Sequence, residues 1–131
     1  MRLSKNFTLS ELTKSQAAER YDIDNTPGIQ EQKYLIRVAE EILQPVRDHF
    51  KTPFTPSSGF RCLELNSIIN GSPTSQHVKG QAVDFEVPGV DNLDLARWIR
   101  DNLNVDQLIL EYYTPGEPTS GWIHCSISDK H

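Results

Sequence analysis

Ser75-Gln76-His77-Val78-Lys79-Gly80-Gln81-Ala82-Val83-Asp84-Phe85-Glu86-Val87 runs from a polar loop into a strand, and its reading decides the fold. Side chains alternate across a strand, so Ala82, Asp84 and Glu86 share one face while Val83, Phe85 and Val87 share the other. Two carboxylates therefore stand on one side of a strand whose other side is apolar. Toward the C-terminus, Asp91 or Asn92 can cap a helix over 93–102 with Leu95, Trp98, Ile99 and Leu103 as its buried stripe. Strands over 106–113 and 121–127 follow, separated by the turn-rich stretch Thr114-Pro115-Gly116-Glu117-Pro118-Thr119-Ser120-Gly121.

Toward the N-terminus the pattern is helical. Thr8-Leu9-Ser10-Glu11 can form a capping box that opens a helix over about 9–20. Thr26 as N-cap and Pro27 in the first helical position open a second helix. Leu35, Val38, Ala39, Ile42 and Val46 recur at helical spacing and carry it to about residue 49. A short helix over 62–69 ends at Asn70-Gly71-Ser72-Pro73. Helices first and strands later predict an α+β fold, in which a small antiparallel sheet carries a polar site on one face and helices on the other. At 131 residues the whole chain, 1–131, is expected to be one domain.

Composition narrows the function. Thirteen Lys and Arg against eighteen Asp and Glu give a net charge of −5, which provides no field to hold a polyanion, so nucleic acid is not an expected partner. No apolar run approaches the roughly 18–20 residues that cross a bilayer, so membrane insertion is not expected either. The opening Met1-Arg2-Leu3-Ser4-Lys5-Asn6-Phe7 has no apolar core for a secretory signal. A cytoplasmic protein is expected, one that reaches any outside substrate by lysis, a dedicated channel or a larger particle. Cys62 and Cys125 are too few for a disulfide scaffold and read as buried or half-buried thiols, with a bond between them left open.

Four histidines are present, and two of them fall in a pattern. His77 precedes Asp84 by seven residues, with Gly80 between them to turn the chain. In Trp122-Ile123-His124-Cys125-Ser126, alternation puts Trp122, His124 and Ser126 on one face. If the polar faces of the two strands lie side by side, His77, Asp84 and His124 converge. Two imidazoles and a carboxylate suit Zn²⁺ and leave a fourth position open, as a catalytic site requires. Glu111, in Gln107-Leu108-Ile109-Leu110-Glu111, is a candidate general base if a hairpin sets it near His124. Glu86 competes for that role or orients a ligand. Arg61 either pairs with Glu64 on the surface or binds a substrate carboxylate through its planar fork. His49, near the end of the long helix, and the terminal His131 fall outside the pattern.

The ten residues Ser75 to Asp84 resemble the S-x-H-x-x-G-x-A-x-D signature of the M15 zinc peptidases, which include D-Ala-D-Ala carboxypeptidases, dipeptidases and phage endolysins. Trp122-Ile123-His124 is similar to that family's second histidine motif, and Ser58-Gly59-Phe60-Arg61 to its S-G-Y-R segment. The stretches Phe7-Thr8-Leu9-Ser10-Glu11-Leu12 and Leu43-Gln44-Pro45-Val46-Arg47 look most like the small phage and prophage branch. The resemblance implies zinc on His77, Asp84 and His124, with Arg61 and Ser75 on substrate, and a monomer that cleaves peptidoglycan stem peptides at D-Ala-D-Ala or L-Ala-D-Glu. One departure stands out: many members carry the catalytic acid three residues before the last histidine, where this chain has Gly121. Either Glu111 takes that role or the domain is a non-catalytic, metal-binding module that recognises cell-wall peptide.

Overall fold

Thr8 opens the first helix as its residues require: its hydroxyl accepts the Glu11 N–H at 3.3 Å while the Glu11 carboxylate accepts the Thr8 N–H at 3.1 Å. The computed structural model describes residues 1–130, so His131 lies outside the described residues. Helix α1 is short, Leu9–Thr13, and the chain turns extended at Lys14 before α2, Gln16–Arg20. The single helix expected over 9–20 is therefore two. Ser15 is the reason, because its hydroxyl accepts the Ala18 N–H at 3.2 Å and starts a new helix instead of continuing the old one.

Helix α3, Ile29–Val38, begins later than expected. Gly28 is its N-cap, with the Gly28 N–H donating to the Glu31 carboxylate at 3.2 Å, whereas Thr26 bonds back to Asp24. The helix continues through a wider π turn, Ala39–Leu43, into α4, Gln44–Phe50. Pro45 lacks the N–H that would bond back to Glu41, and its ring crowds that carbonyl, so the preceding turn widens and the helix goes on. The expected stripe is in place: Leu35, Val38, Ala39, Ile42 and Val46 are all fully buried. Helix α5, Leu63–Ile68, is capped by the Cys62 sulfur. Helix α6, Asn92–Asn102, is capped by Asp91 and buries Leu95 and Ile99. His49 stacks on Trp98 of this helix with ring centroids 4.5 Å apart, an inter-helix packing role well removed from the sheet's polar face.

Three antiparallel strands, β1 Ala82–Phe85, β2 Gln107–Glu111 and β3 Trp122–Ser126, lie in the order β1-β3-β2. Val83 and Phe85 from β1 join Ile123 and Cys125 from β3 in one core with Leu35, Val38, Ile42, Leu95 and Ile99. The helices thus cover one face of the sheet, as an α+β architecture predicts. The register sets Asp84 opposite His124, and Ile109 and Glu111 opposite His124 and Trp122. The two neighbours of His124 therefore bring β1 and β2 residues to the same open face.

Both cysteines are free, Cys62 half-buried and Cys125 buried. Burial pushes the Cys125 thiol up to about 12, only partly opposed by a backbone hydrogen bond at Ser126. The thiolate is thus disfavoured in the folded chain but not in the unfolded one. Stability is expected to hold below about pH 9 and to fall as the pH rises toward 12. A thiol-reactive disulfide reagent at pH 8 should accordingly titrate Cys62 rapidly in the native protein and Cys125 only after denaturation. Two fast thiols in the native state would contradict this burial.

Candidate metal centre

The loop before β1 is shaped by its own side chains. Ser75 Oγ accepts the His77 N–H at 3.2 Å, and the Gln81 N–H returns to the Gln76 carbonyl at 3.0 Å. Gly80 closes the turn at φ +77, where a Cβ would sit 2.6 Å from the Glu31 carbonyl oxygen. Only glycine fits there. His77 is thereby folded inward to 3% exposure, and its Nδ1–H donates to the Gly59 carbonyl at 2.7 Å. A carbonyl can only accept, so Nδ1 carries a proton, and Nε2 is the ring atom that faces Asp84 Oδ1, at 3.4 Å.

Asp84 projects from β1 on the face away from the core, and His124 lies directly opposite it on β3. His124 Nδ1 donates to Asp84 Oδ1 at 2.9 Å, and the two imidazole centroids are 5.2 Å apart. Burial alone would raise the Asp84 pKa, but hydrogen bonds from His124 and His77 and the charge of both rings outweigh it and hold the carboxyl at about 2. Asp84 is an anion at any working pH. One ligand atom from each of His77, Asp84 and His124 lies within 4.8 Å of the others. Two imidazole nitrogens and one carboxylate oxygen brought this close form a donor set of the kind that zinc takes. The convergence expected from the two strand faces is present.

A family model described as Peptidase M15 matches residues 5–126. The chain belongs to the M15 peptidase family. Among curated proteins none matches it.

In this M15 domain the position three residues before His124 cannot hold an acid. Gly121 sits at φ +67 in the turn into β3, and a Cβ there would lie 1.9 Å from the Glu111 carbonyl oxygen. Gly121→Ala is expected to destabilise the fold by about 3 kcal/mol, combining left-handed strain with a backbone clash, as read from urea unfolding. A loss under about 1 kcal/mol would mean the hairpin yields easily. Glu111 is half-buried on β2, opposite Trp122 and diagonal to His124 across the strand pair. Among the described residues its carboxylate has no hydrogen bond or ion pair. Glu86 is exposed and accepts from Asn92 Nδ2 at 3.0 Å, so it is already engaged in holding the loop that ends at Gly121.

Arg61 forms no ion pair with Glu64. Its Nη2 donates instead to Ser75 Oγ at 3.2 Å, and its buried Nε–H has no acceptor. Burial pushes the guanidinium pKa down while Asp84 pulls it back. A half-buried cation with donors to spare is prepared for an anion. Two further residues shape the site without having stood out in the sequence. Gly59 supplies the carbonyl that orients His77, a role hidden in the S-G-F-R segment because it is a backbone contact. Asn92, 1% exposed, ties Glu86 to the carbonyls of Ser120 and Gly121, and no local pattern reveals it. Tyr112, 80% exposed at φ 52, leans on Trp122 with ring centroids 5.3 Å apart. A hollow of about 660 Å³ beside Tyr34, Phe60 and Val78 contains none of the three clustered residues.

Proposed function

We propose that the chain is a zinc-dependent peptidase that cleaves peptidoglycan stem peptides. The observation that carries this reading is the meeting of His77, Asp84 and His124 on a sheet face that also bears the unengaged Glu111. His77, Asp84 and His124 would hold the ion, which when bound supplies Lewis-acid polarisation of a carbonyl and a more acidic water. Glu111 takes the proton of the attacking water and delivers it to the leaving amine, because it is the acid on this face with no other partner. Arg61, steadied by Ser75, binds a substrate carboxylate and so fixes which peptide bond reaches the cluster. The M15 family supplies the peptidase chemistry, and the resemblance to its cell-wall members supplies the substrate. The chain acts as a monomer. Among the described residues no helix is long and apolar enough to cross a membrane.

The test is incubation of the purified protein with defined muropeptides, with added zinc and with a chelator. Release of a new amine that stops with the chelator and returns with zinc is the expected result. Zinc binding without any released amine, across pH 5 to 9 on the order of the usual working range, would instead favour a recognition module.

A further inference from the structure

The hollow of about 660 Å³ lies between Glu31 and Tyr34 of α3, Phe60 and Cys62 ahead of α5, and Val78 and Gln81 of the loop that enters β1. Gln81 continues the alternation of Val83 and Phe85, on the opposite side of the chain from Asp84. Its backbone is fixed at both ends: the N–H donates to the Gln76 carbonyl at 3.0 Å, and the carbonyl accepts the Ile127 N–H at 2.9 Å. Gln81 is 7% exposed, yet among the described residues its carboxamide makes no hydrogen bond. A buried amide without a partner costs free energy, so a polar group entering the hollow is favoured there.

Two carboxylates stand on the same lining, each steadied by one neighbour. Glu31 Oε1 accepts the Gly28 N–H at 3.2 Å, and Asp129 accepts the Tyr34 hydroxyl proton. Both keep lone pairs to spare. Lys79, the one cation on the described lining, is exposed and makes no ion pair among the described residues, so it neutralises neither acid. An amide oxygen and two carboxylates around one hollow suit a ligand that carries an ammonium group. Cys62 supplies the covalent handle. Its Sγ accepts the Leu65 N–H at 3.5 Å, and its own N–H is fixed on Asn25 Oδ1 at 2.8 Å. The thiol is free and half-buried, while Cys125 is buried in the core. A disulfide at Cys62 is therefore made with a sulfur from outside the chain.

We propose that this hollow is a modification site, where Cys62 forms a mixed disulfide with a small amine-bearing thiol whose ammonium group is taken by Gln81, Glu31 and Asp129. The reagent is the symmetrical disulfide of that thiol. The Cys62 thiolate attacks one of its sulfurs, the new S–S bond forms as the old one breaks, and the second half leaves as a thiolate that takes up the proton given up by Cys62. Cys62 is oxidised and the reagent reduced, so no other oxidant enters. The site does not depend on the peptidase reading, because the hollow holds none of the clustered residues.

Three small disulfides test it at neutral pH: cystamine, which carries ammonium groups, the neutral hydroxyethyl disulfide, and the anionic dithiodiglycolate. Adduct formation at Cys62 is followed by mass spectrometry, and each rate is divided by that at Cys62 in the urea-unfolded chain, which removes the intrinsic reactivity of the reagent. Cystamine should lead the hydroxyethyl reagent by about fivefold, the size of a partly screened ion pair, with dithiodiglycolate slowest. The double variant Glu31→Gln, Asp129→Asn should bring the lead below about twofold, and Gln81→Met alone should cut it at least about twofold. A control of equal charge change away from the hollow, Asp101→Asn with Glu117→Gln, should leave it intact. Equal normalised rates in wild type, a lead that survives in the double variant or in Gln81→Met, or one that is lost equally in the control overturns the proposal.

Discussion

Glu111→Gln is expected to lower stem-peptide hydrolysis by about 10²–10⁴-fold, the range for loss of a positioned general acid–base. Glutamine keeps the shape and loses the proton-accepting charge. Because Glu111 is half-buried and its carboxylate has no partner among the described residues, stability should change by no more than about 0.5 kcal/mol. The loss should fall on kcat, since the group acts on the proton in flight and does not grip the substrate. The steric bar at Gly121 is the reason the proposed role falls to β2. No side chain fits at 121, so the strand beside His124 is the nearest place from which an acid can reach this face. A variant with undiminished kcat would move the base to Glu86, and the Asn92 contact would then have to break during turnover.

Asp84→Asn carries the other large effect. Asp84 Oδ1 is the atom on which both imidazoles close, at 2.9 Å from His124 Nδ1 and 3.4 Å from His77 Nε2. An amide has nearly the same shape, so the sheet register survives, but the anionic donor is gone. Outer-shell partners of metal ligands are themselves worth about 10–100-fold in affinity, so loss of a direct donor should weaken zinc binding by at least about 100-fold. Hydrolysis should fall in step at limiting zinc and recover partly in excess. Unaltered affinity would remove Asp84 from the ligand set.

Local rules set much of this fold. The Thr8 capping box, the buried stripe on the long helix and the alternation on the strands are all set within a few residues, and each is found in place. The His77, Asp84 and His124 cluster was legible for the same reason: two strands with polar faces had only to lie side by side. What escaped was decided by partners distant in the chain or by competition between neighbours. Ser15 can cap a new helix or sit inside an old one, and only the fold chooses. Pro45 signals a break, yet packing of the stripe keeps the helix whole and moves the disturbance into a π turn. Gly28 displaces Thr26 as a cap because Glu31 can reach its N–H while Thr26 is drawn to Asp24. The role of Gly121 as a barred position required the Glu111 carbonyl, ten residues away and across a hairpin.

Titration of the metal-free protein with zinc, followed by calorimetry, reads the cluster itself. One zinc should bind per chain, with binding lost in both His77→Ala and His124→Ala. No bound zinc, or equal binding by the two variants and wild type, would contradict it.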